Sequence, residues 1–290
     1  MENITCIICD SNNHNHYLNV IDRFDKKNIF NLVRCDCGFI FLNPRPRELD
    51  IHYFYPKNNY DPHNNNNSLF SKVYNIVKNN AFKRKIKLIQ KYYTNCGKHL
   101  DIGGGTGDFC FFMKKNGWSS SNQDISKQAL TISNKKGVDS LQRIDNNIES
   151  DSIDLVTAWH SIEHIHKIDD LFMQINRILK PNKYIFLCVP NFNAIEQSFF
   201  KEKWVAWDAP RHLYHFNPDL LKKYVEKNNF EVMYYETLFQ DTAYNILLSM
   251  NKKNILDIFK SFFVLFLSYI MILLFGYKKS SSFIMICRKL

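Results

Sequence analysis

The sequence feature that most constrains the fold is the stretch HLDIGGGTGDF at residues 99–109. Its first four residues predict a short β-strand, and apolar residues recur at helical spacing after Asp108. A strand, a glycine-rich turn and the start of a helix form a crossover of the kind at which α/β proteins bind ligands. Glycines let the backbone turn tightly and let a ligand lie against bare main chain. The stretch therefore predicts a doubly wound α/β domain with a ligand site at this turn.

The spacing of the glycines indicates which ligand the turn binds. A dinucleotide-binding turn has its third glycine where this chain has Asp108 or Cys110, and the lysine and hydroxyl residues of a P-loop are missing too. The pattern D-x-G-x-G-x-G, which begins at Asp101, resembles motif I of the class I methyltransferases that use S-adenosylmethionine (SAM). An acid at the strand end suits a ligand that carries an ammonium and a sulfonium group. The alternative is an ordinary glycine-rich turn.

Three later segments follow motif I in the order of the same family. Asp124 ends a second strand-like segment, where its carboxylate could accept both ribose hydroxyls, although a helix N-cap is the alternative. Residues 153–159 predict a strand followed by HSIEHI, and residues 179–191 predict a turn, a buried strand and a Pro-Asn end. This order resembles motifs IV to VI of the class I methyltransferases.

The resemblance implies an α/β fold built on a Rossmann-like, seven-stranded methyltransferase sheet. Motif I would hold the methionine part of SAM, Asp124 the ribose and Ile125 one face of the adenine. Trp159 and His160 would lie near the sulfonium, since an indole face favours a cation. The predicted cofactor-binding residues are Asp101, Gly103, Gly104, Gly105, Gly107, Asp124, Ile125, Trp159 and His160.

Two pairs of cysteines near the N-terminus predict a small metal-binding module. Four thiolates suit a structural zinc ion, and the alternative is ordinary reduced thiols. The arrangement resembles the amino-terminal zinc module of sugar C-methyltransferases, although one residue separates the second pair where two are usual. Asp10, His14 or His16 could then substitute as a ligand. The predicted zinc ligands are Cys6, Cys9, Cys35 and Cys37.

Histidines are the candidate general bases for an acceptor hydroxyl, since their pKa lies near neutrality. His212 comes first, because sugar C-methyltransferases have a Glu-His pair whose histidine it matches, within an aromatic segment at residues 197–217 predicted to meet the substrate. Arg211 replaces the glutamate and leaves a cation suited to phosphate or carboxylate. His160 and His164 are the second and third candidates, and His164 could instead only cap and pack.

A long apolar insert separates the last two strands that the resemblance implies. Residues 230–239 and 282–290 resemble the sixth and seventh strands, the seventh returning antiparallel into the sheet, and residues 261–277 between them carry no charge. We predict a monotopic helical hairpin with arms at residues 242–250 and 255–275. The lysines expected to meet anionic headgroups are Lys252, Lys253, Lys260, Lys278 and Lys279. The alternatives are packing against a partner subunit and a true membrane crossing.

Composition favours a cytoplasmic protein. The first residues lack the pattern of a signal peptide, and eight cysteines without one indicate a reducing compartment. The net charge of +10 includes a basic helix before motif I, which could face nucleic acid, an anionic membrane or water. No RNA-binding motif is recognisable, so a nucleic-acid partner is not expected. The oligomeric state stays open.

These features together predict five segments. They are a zinc-ribbon-like module at 1–60, a hinge and basic helix at 61–95 with the hinge at 64–67, a SAM-binding core at 96–240, the membrane-associating insert at 241–281, and a final core strand at 282–290.

The predicted function is SAM-dependent methyl transfer, with a sugar of a nucleotide sugar, a surface polysaccharide or a lipid-linked glycan as the acceptor, on the inner face of the cell membrane. The alternatives are a methyltransferase for a quinone or another membrane lipid, and a non-catalytic SAM-binding scaffold subunit.

Overall fold

A computed structural model describes residues 1–55, 69–250 and 255–290. The predicted hinge at 64–67 and the lysines at 252 and 253 lie outside the described residues. The chain divides into two compact units. We call residues 69–158 and 177–183 the glycine-loop unit, and residues 1–55, 159–176 and 184–290 the cysteine unit. The boundaries of these two units differ from those of the five segments predicted from the sequence.

The glycine-loop unit alternates strands and helices. Its elements are α1 (Leu69–Gln90), β4 (Lys98–Ile102), α2 (Asp108–Lys115), β5 (Ser119–Gln123), α3 (Lys127–Lys135), β6 (Asp139–Leu141) and β7 (Ile153–Trp159). Strands β4, β5, β6 and β7 are parallel, with β4 paired to both β5 and β7. A strand flanked on both sides is buried on both faces, and four of the five residues of β4 are buried. The glycine turn therefore lies at the carboxyl end of a strand that has a neighbour on each side.

The cysteine unit begins with an antiparallel sheet. Its strands are β1 (His14–Ile21), β2 (Ile29–Cys35), β3 (Ile40–Leu42) and β9 (Tyr214–His215), in the spatial order β1-β2-β3-β9. Strand β9 comes from the aromatic segment at 197–217 and pairs with β3 through Phe41 and Ile40. The N-terminal residues therefore share their sheet with the segment that carries His212.

The second half of the chain supplies the remaining elements. They are α4 (Ile168–Ile178), β8 (Leu179–Pro190), α5 (Ile195–Phe200), α6 (Pro218–Lys227), β10 (Phe230–Thr237), α7 (Phe239–Ser249), α8 (Ile255–Phe275) and β11 (Ser282–Lys289). The large sheet has seven strands in the order β10-β11-β8-β7-β4-β5-β6. Strand β11 pairs antiparallel with both β10 and β8. The mixed seven-stranded α/β sheet predicted from the sequence is confirmed.

The apolar insert forms two helices, α7 and α8, which contact each other through Tyr269 and Phe239. Helix α8 spans the predicted second arm, whereas α7 begins three residues before the predicted first arm. Four residues of α8 are buried and lie at helical spacing, and all but the last have small side chains: Ser261, Val264, Ser268 and Ile272. Large apolar side chains on its other face are mostly exposed, among them Phe259, Phe262, Phe263, Phe266 and Leu273. This helix therefore turns its small residues to the protein and its aromatic residues outward.

Candidate functional site

The turn after β4 is held in a conformation that favours glycine. Gly103, Gly105 and Gly107 have φ angles of 66°, 55° and 71°, in the left-handed region where a Cβ is strained. Gly104 is required for another reason, since a Cβ there would collide with the side chains of Asn122 and Asp101. A Cβ at Gly105 would meet nothing within 4 Å. The loop therefore presents bare main chain beside open space.

Asp101 lies at the end of β4 and is 2% exposed. The Thr157 hydroxyl of β7 donates to its Oδ1 at 2.5 Å. Burial raises the pKa of Asp101 to about 7, although the bond from Thr157 and the charge of Lys85 oppose the rise. A cationic ligand beside this carboxyl would favour its ionised form. The residue thus suits a ligand with an ammonium or sulfonium group.

Asp124 follows β5, and its carboxylate accepts hydrogen bonds from the glycine turn and from the start of α3. Its Oδ2 accepts the backbone N–H of Gly105 at 2.9 Å, and its Oδ1 accepts that of Ser126 at 2.8 Å. The N-cap of α3 is Ser126, whose hydroxyl accepts from Ala129, so Asp124 is not the helix cap. Burial raises the pKa of Asp124. Next to it, the side chain of Ile125 is 64% exposed, as the predicted contact with a flat adenine requires.

Two polar residues of this region were missed by the sequence analysis. Asn122 donates to the Gly105 carbonyl at 2.8 Å, and its Oδ1 is buried without a hydrogen-bond partner among the described residues. Thr157 connects Asp101 to His99, whose ring nitrogens also reach Ser120. The available signal was a polar side chain within each of two strand-like segments of the sequence. Buried polar groups of this kind have a specific partner.

The glycine-loop unit fits the SAM that the sequence predicts. It offers a buried carboxyl at the end of β4, a second carboxylate at the end of β5 and an open loop between them. Trp159 is the last residue of β7, His160 follows it, and both belong to the cysteine unit. A cavity of 720 Å³ also lies in the glycine-loop unit, between α1 and α2. It is lined by Lys83, Arg84, Lys87 and Lys115 and by none of the predicted cofactor residues.

All four N-terminal cysteines come together. Sγ of Cys6 lies 3.6 Å from that of Cys37, and Sγ of Cys9 lies 3.5 Å from that of Cys35. All four sulfur atoms lie within 4.8 Å of one another. Tetrahedral zinc with Zn–S bonds of 2.3 Å requires S–S distances of about 3.8 Å. The cluster is therefore compatible with zinc.

The second cysteine pair, Cys35 and Cys37, has only one residue between its members, and a tight turn accommodates this spacing. In that turn Gly38 has a φ of 92° and its N–H donates to the Cys35 carbonyl. The predicted substitute ligands have other partners. His14 contacts Asn43, His16 contacts Asn19, and Asp10 pairs with Lys227. The four sulfur atoms therefore cluster without these three side chains.

His160 stands in a charged group of its own. Its Nε2 lies 3.1 Å from Asp241 Oδ2 and 3.2 Å from the Cys188 sulfur, and its Nδ1 lies 3.6 Å from Glu163. Burial opposes protonation, but the interactions with Cys188, Asp241 and Glu163 outweigh it and raise the pKa of His160 well above its usual value. These contacts therefore favour the protonated ring.

His164 and His212 lie edge to face, with ring centroids 4.6 Å apart. Nδ1 of His164 donates to the Arg211 carbonyl at 2.9 Å, and Nδ1 of His212 donates to the Ala206 carbonyl at 2.8 Å. Each neutral ring therefore keeps the lone pair of its Nε2. Burial lowers the pKa of His164 to about 4. The structure thus brings two of the three predicted bases together, and in both the Nδ1 proton is held by a backbone carbonyl.

A cavity of 260 Å³ opens in the cysteine unit beside these histidines. Its polar lining comprises Arg23, His160, Asp208, His212, Asp241 and Asn245. Arg211 does not reach it as a free cation. Its guanidinium is buried, and it binds the carboxylates of Asp22 at 3.0 Å and Asp208 at 2.7 Å. The expectation that Arg211 would meet a phosphate or carboxylate ligand is wrong, because two internal acids already neutralise it.

Comparisons with known proteins agree with the fold and the glycine loop. A family model described as a methyltransferase domain matches residues 68–235, more than half of the chain. A SAM-dependent methyltransferase from Thermotoga maritima superimposes with a TM-score of 0.50 and 16% identity, covering 72% of this chain and 89% of that one. One from Archaeoglobus fulgidus gives a TM-score of 0.50 and 19% identity, covering 72% and 94%. No curated protein sequence matches.

Proposed function

The chain belongs to the methyltransferase-domain family and is a SAM-dependent methyltransferase, and from that premise we propose that it methylates a sugar hydroxyl at a membrane surface. The acceptor would be a nucleotide sugar, a surface polysaccharide or, in the form favoured most, a lipid-linked glycan. The observation that carries this proposal is a polar cavity lined on one side by the exposed apolar hairpin.

The cavity suits a hydroxyl-rich acceptor. Arg23 and Asn245 supply donors, while Asp208 and Asp241 supply acceptors around 260 Å³. Sites that orient a small polar ligand combine a few such groups with an apolar wall. Here the wall includes Tyr244 and Leu248 of α7. A sugar that hangs from a lipid would therefore meet polar groups in the cavity and apolar ones at its rim.

The chain's own residues would align and deprotonate the acceptor. SAM, when bound, supplies a methyl group on a sulfonium, which leaves as the neutral thioether. Asp101 and Asp124 would hold its charged and ribose parts, and the Gly105 main chain would lie against it. His212 lines the cavity with its Nε2 lone pair free to take the hydroxyl proton. Catalysis then rests mostly on alignment of the acceptor oxygen with the methyl group.

The hairpin supports a location on the membrane surface. Helix α8 and the turn after it, Ile255–Lys278, are long and apolar enough to cross a bilayer, with a mean hydropathy of 2.3. An exposed face of aromatic residues is costly in water and typical of an interfacial helix. Lys260, Lys278 and Lys279 flank the uncharged run and would meet anionic headgroups.

The strand pairing argues against a full crossing. Strands β10 and β11 are antiparallel neighbours in one sheet, so the insert between them begins and ends at that sheet. Helix α7 has 11 residues, about 16 Å, whereas the hydrocarbon core is about 30 Å thick. A helix lying in the interface is consistent with both facts.

The cysteine cluster would hold a structural zinc ion. Four thiolates leave no open position for water or substrate, so the ion would stabilise the fold without entering the reaction. The ion would connect the loop before β1 to the turn after β2. Removing it with a chelator should lower the melting temperature of the purified protein without changing SAM affinity at a temperature where the protein stays folded.

The acceptor is tested by comparing surface glycans and lipids of cells with and without the gene by mass spectrometry. The proposal expects one glycan or glycolipid to lose the mass of a methylene group, and purified enzyme with SAM to restore it. A loss confined to quinones or other lipids would instead establish the lipid acceptor. SAM binding without transfer to any fraction would establish the scaffold reading.

The membrane location is tested by flotation with vesicles that contain anionic lipid. Wild-type protein should float with them, and the double variant Phe262→Glu/Phe266→Glu should not. Met173→Glu is the matched control, since Met173 is equally exposed on α4, far from the hairpin in sequence. Wild-type protein that stays in the soluble fraction would overturn the proposed location.

A further inference from the structure

The cysteine unit contains a second group of metal-ligating side chains, apart from the four cysteines. Glu163 and His164 belong to the short 3-10 helix after β7, and His212 lies in the loop before β9. The Glu163 carbonyl accepts the N–H of Leu213, which fixes the two segments side by side. One ligand atom from each of the three residues lies within 4.8 Å of the others. The chain thus brings together one carboxylate and two imidazoles.

The carboxylate of this group is buried and accepts no hydrogen bond from the described residues. Glu163 is 1% exposed, and neither of its oxygens has a hydrogen-bond partner among the described residues. Its one ion-pair contact is with the His160 ring, 3.6 Å from Oε1 and beyond hydrogen-bond distance. A buried carboxylate that accepts no hydrogen bond is unfavourable, and such groups normally have further partners or bind a metal.

The two histidines are already oriented as metal ligands are. Each donates its Nδ1 proton to a backbone carbonyl, that of Arg211 for His164 and that of Ala206 for His212. Histidines that bind a metal through one ring nitrogen usually donate the other N–H to a carbonyl or carboxylate, which fixes the tautomer and the ring plane. The Nε2 atoms are then the ones left to bind an ion.

In a neighbouring group of metal-ligating side chains, the ligand atoms contact one another. His160, Cys188 and Asp241 also lie within 4.8 Å of one another. Their atoms, however, are bonded among themselves, with His160 Nε2 in contact with both Asp241 and Cys188. The atoms of that group are satisfied by one another, whereas the Glu163 oxygens accept no hydrogen bond from the described residues.

We propose that Glu163, His164 and His212 bind a divalent first-row transition metal ion. Two imidazoles and one carboxylate suit such an ion, and three protein ligands leave coordination positions open. The site differs from the cysteine cluster, whose four sulfur ligands would leave none.

The open positions give the ion a task that rests on the proposed function. A sugar hydroxyl bound there would lose its proton to solvent water more readily, because a metal lowers the pKa of a bound oxygen. The oxygen would form a bond to the methyl carbon as the carbon–sulfur bond breaks, and the released thioether would be neutral. His212 would then be a ligand rather than the proton acceptor.

Binding of Mn²⁺ to the purified full-length protein, followed by electron paramagnetic resonance of the free ion, tests the site without any acceptor. Mn²⁺ prefers oxygen and nitrogen ligands, so the cysteine cluster should not take it. We expect one saturable site with a Kd below about 1 mM. Glu163→Gln and His212→Asn should each raise that Kd at least about tenfold, whereas Asp241→Asn, in the neighbouring group, should change it less than about twofold.

Calorimetric SAM titration reports whether each variant is folded, and its result also separates the two proposals. If wild-type protein shows no saturable Mn²⁺ site, or if Glu163→Gln and His212→Asn bind Mn²⁺ as wild type does while still binding SAM, the metal site is refuted. Methyl transfer to a sugar could still occur in that case. Conversely, Mn²⁺ binding that depends on Glu163 and His212 upholds the metal site even if no sugar is methylated.

Discussion

The glycine loop and the histidine cluster hold their functional groups by different means. In the loop, backbone geometry and hydrogen bonds within residues 101–124 fix the surface that a ligand meets. In the cluster, His212 lies 48 positions after His164 in the chain, and the two are brought together by tertiary packing. The first arrangement depends on residues that are close in the sequence, whereas the second forms only after folding. Variants of the loop should therefore lose SAM affinity, and variants of the cluster should lose catalytic rate.

The largest effect is expected from His212→Asn. Losing a proton acceptor or a metal ligand removes an interaction made mainly in the transition state, so kcat should fall about 100- to 1,000-fold. SAM affinity should stay within about twofold, because the predicted cofactor residues lie in other segments. Steady-state kinetics and calorimetry measure the two quantities. His16→Asn, which changes an exposed histidine of the same unit, is the control. If His212→Asn lost SAM affinity as strongly as it lost kcat, the proposed difference between the two regions would be refuted.

Gly104→Ala should show the opposite pattern. The added Cβ would collide with Asn122 and Asp101, and overpacking of this kind costs about 1–3 kcal/mol. SAM affinity should fall about 10- to 100-fold. In Gly137→Ala the backbone is strained, with a φ of 75° in the left-handed region that Gly104 does not adopt, but a Cβ there meets nothing within 4 Å, so SAM affinity should be unchanged. Calorimetric titration distinguishes the two variants.

Asp101→Asn should raise the free energy of unfolding at high pH while it weakens SAM binding. Since burial raises the pKa of Asp101 to about 7, the folded chain holds a proton that the unfolded chain releases near its usual value of 3.8. The stability contribution is therefore complete below pH 4, declines as pH rises to 7 and stays low above it. At pH 8 the variant should be up to about 4 kcal/mol more stable than wild type, with little difference at pH 4.

Denaturant unfolding at both pH values measures this stability difference. The same Asp101→Asn variant should bind SAM about tenfold more weakly, because it lacks the charge that faces the cationic ligand. A variant that is less stable than wild type at pH 8 would contradict the raised pKa.

The smallest effect is expected from Arg23→Ala. The Arg23 side chain is 43% exposed and pairs with Asp208 at 2.8 Å, so its loss should change stability by less than about 1 kcal/mol. Because Arg23 lines the cavity, the KM for the acceptor should rise severalfold while SAM affinity stays constant. Acceptor kinetics at saturating SAM provide the measurement. An unchanged KM would remove Arg23 from the acceptor site.

Much of the fold could be predicted because its signals are local. Glycine spacing identified the turn after β4, and an uncharged run placed α8 at its observed bounds. The start of α7 was three residues off, since Phe239 fits the end of a strand and the start of a helix equally well. Strand β9 was not foreseen, because two residues carry no periodicity and their partner strand lies far away in the sequence.

The candidate site was less predictable because its properties depend on distant partners. Arg211 reads as a free cation in the sequence, yet Asp22, 189 positions away, neutralises it. Asn122 and Thr157 read as ordinary strand residues until folding places them beside Gly105 and Asp101. Pairings of this kind leave no pattern in a single sequence.

The position of β11 has a consequence for biosynthesis. This strand is the last of the sheet to leave the ribosome, yet it lies between β8 and β10, both of which emerge earlier. Until it arrives, β8 and β10 are not joined to each other, although the chain has already made α8 with its exposed apolar face. The sheet can therefore close only after the whole apolar hairpin has been synthesised.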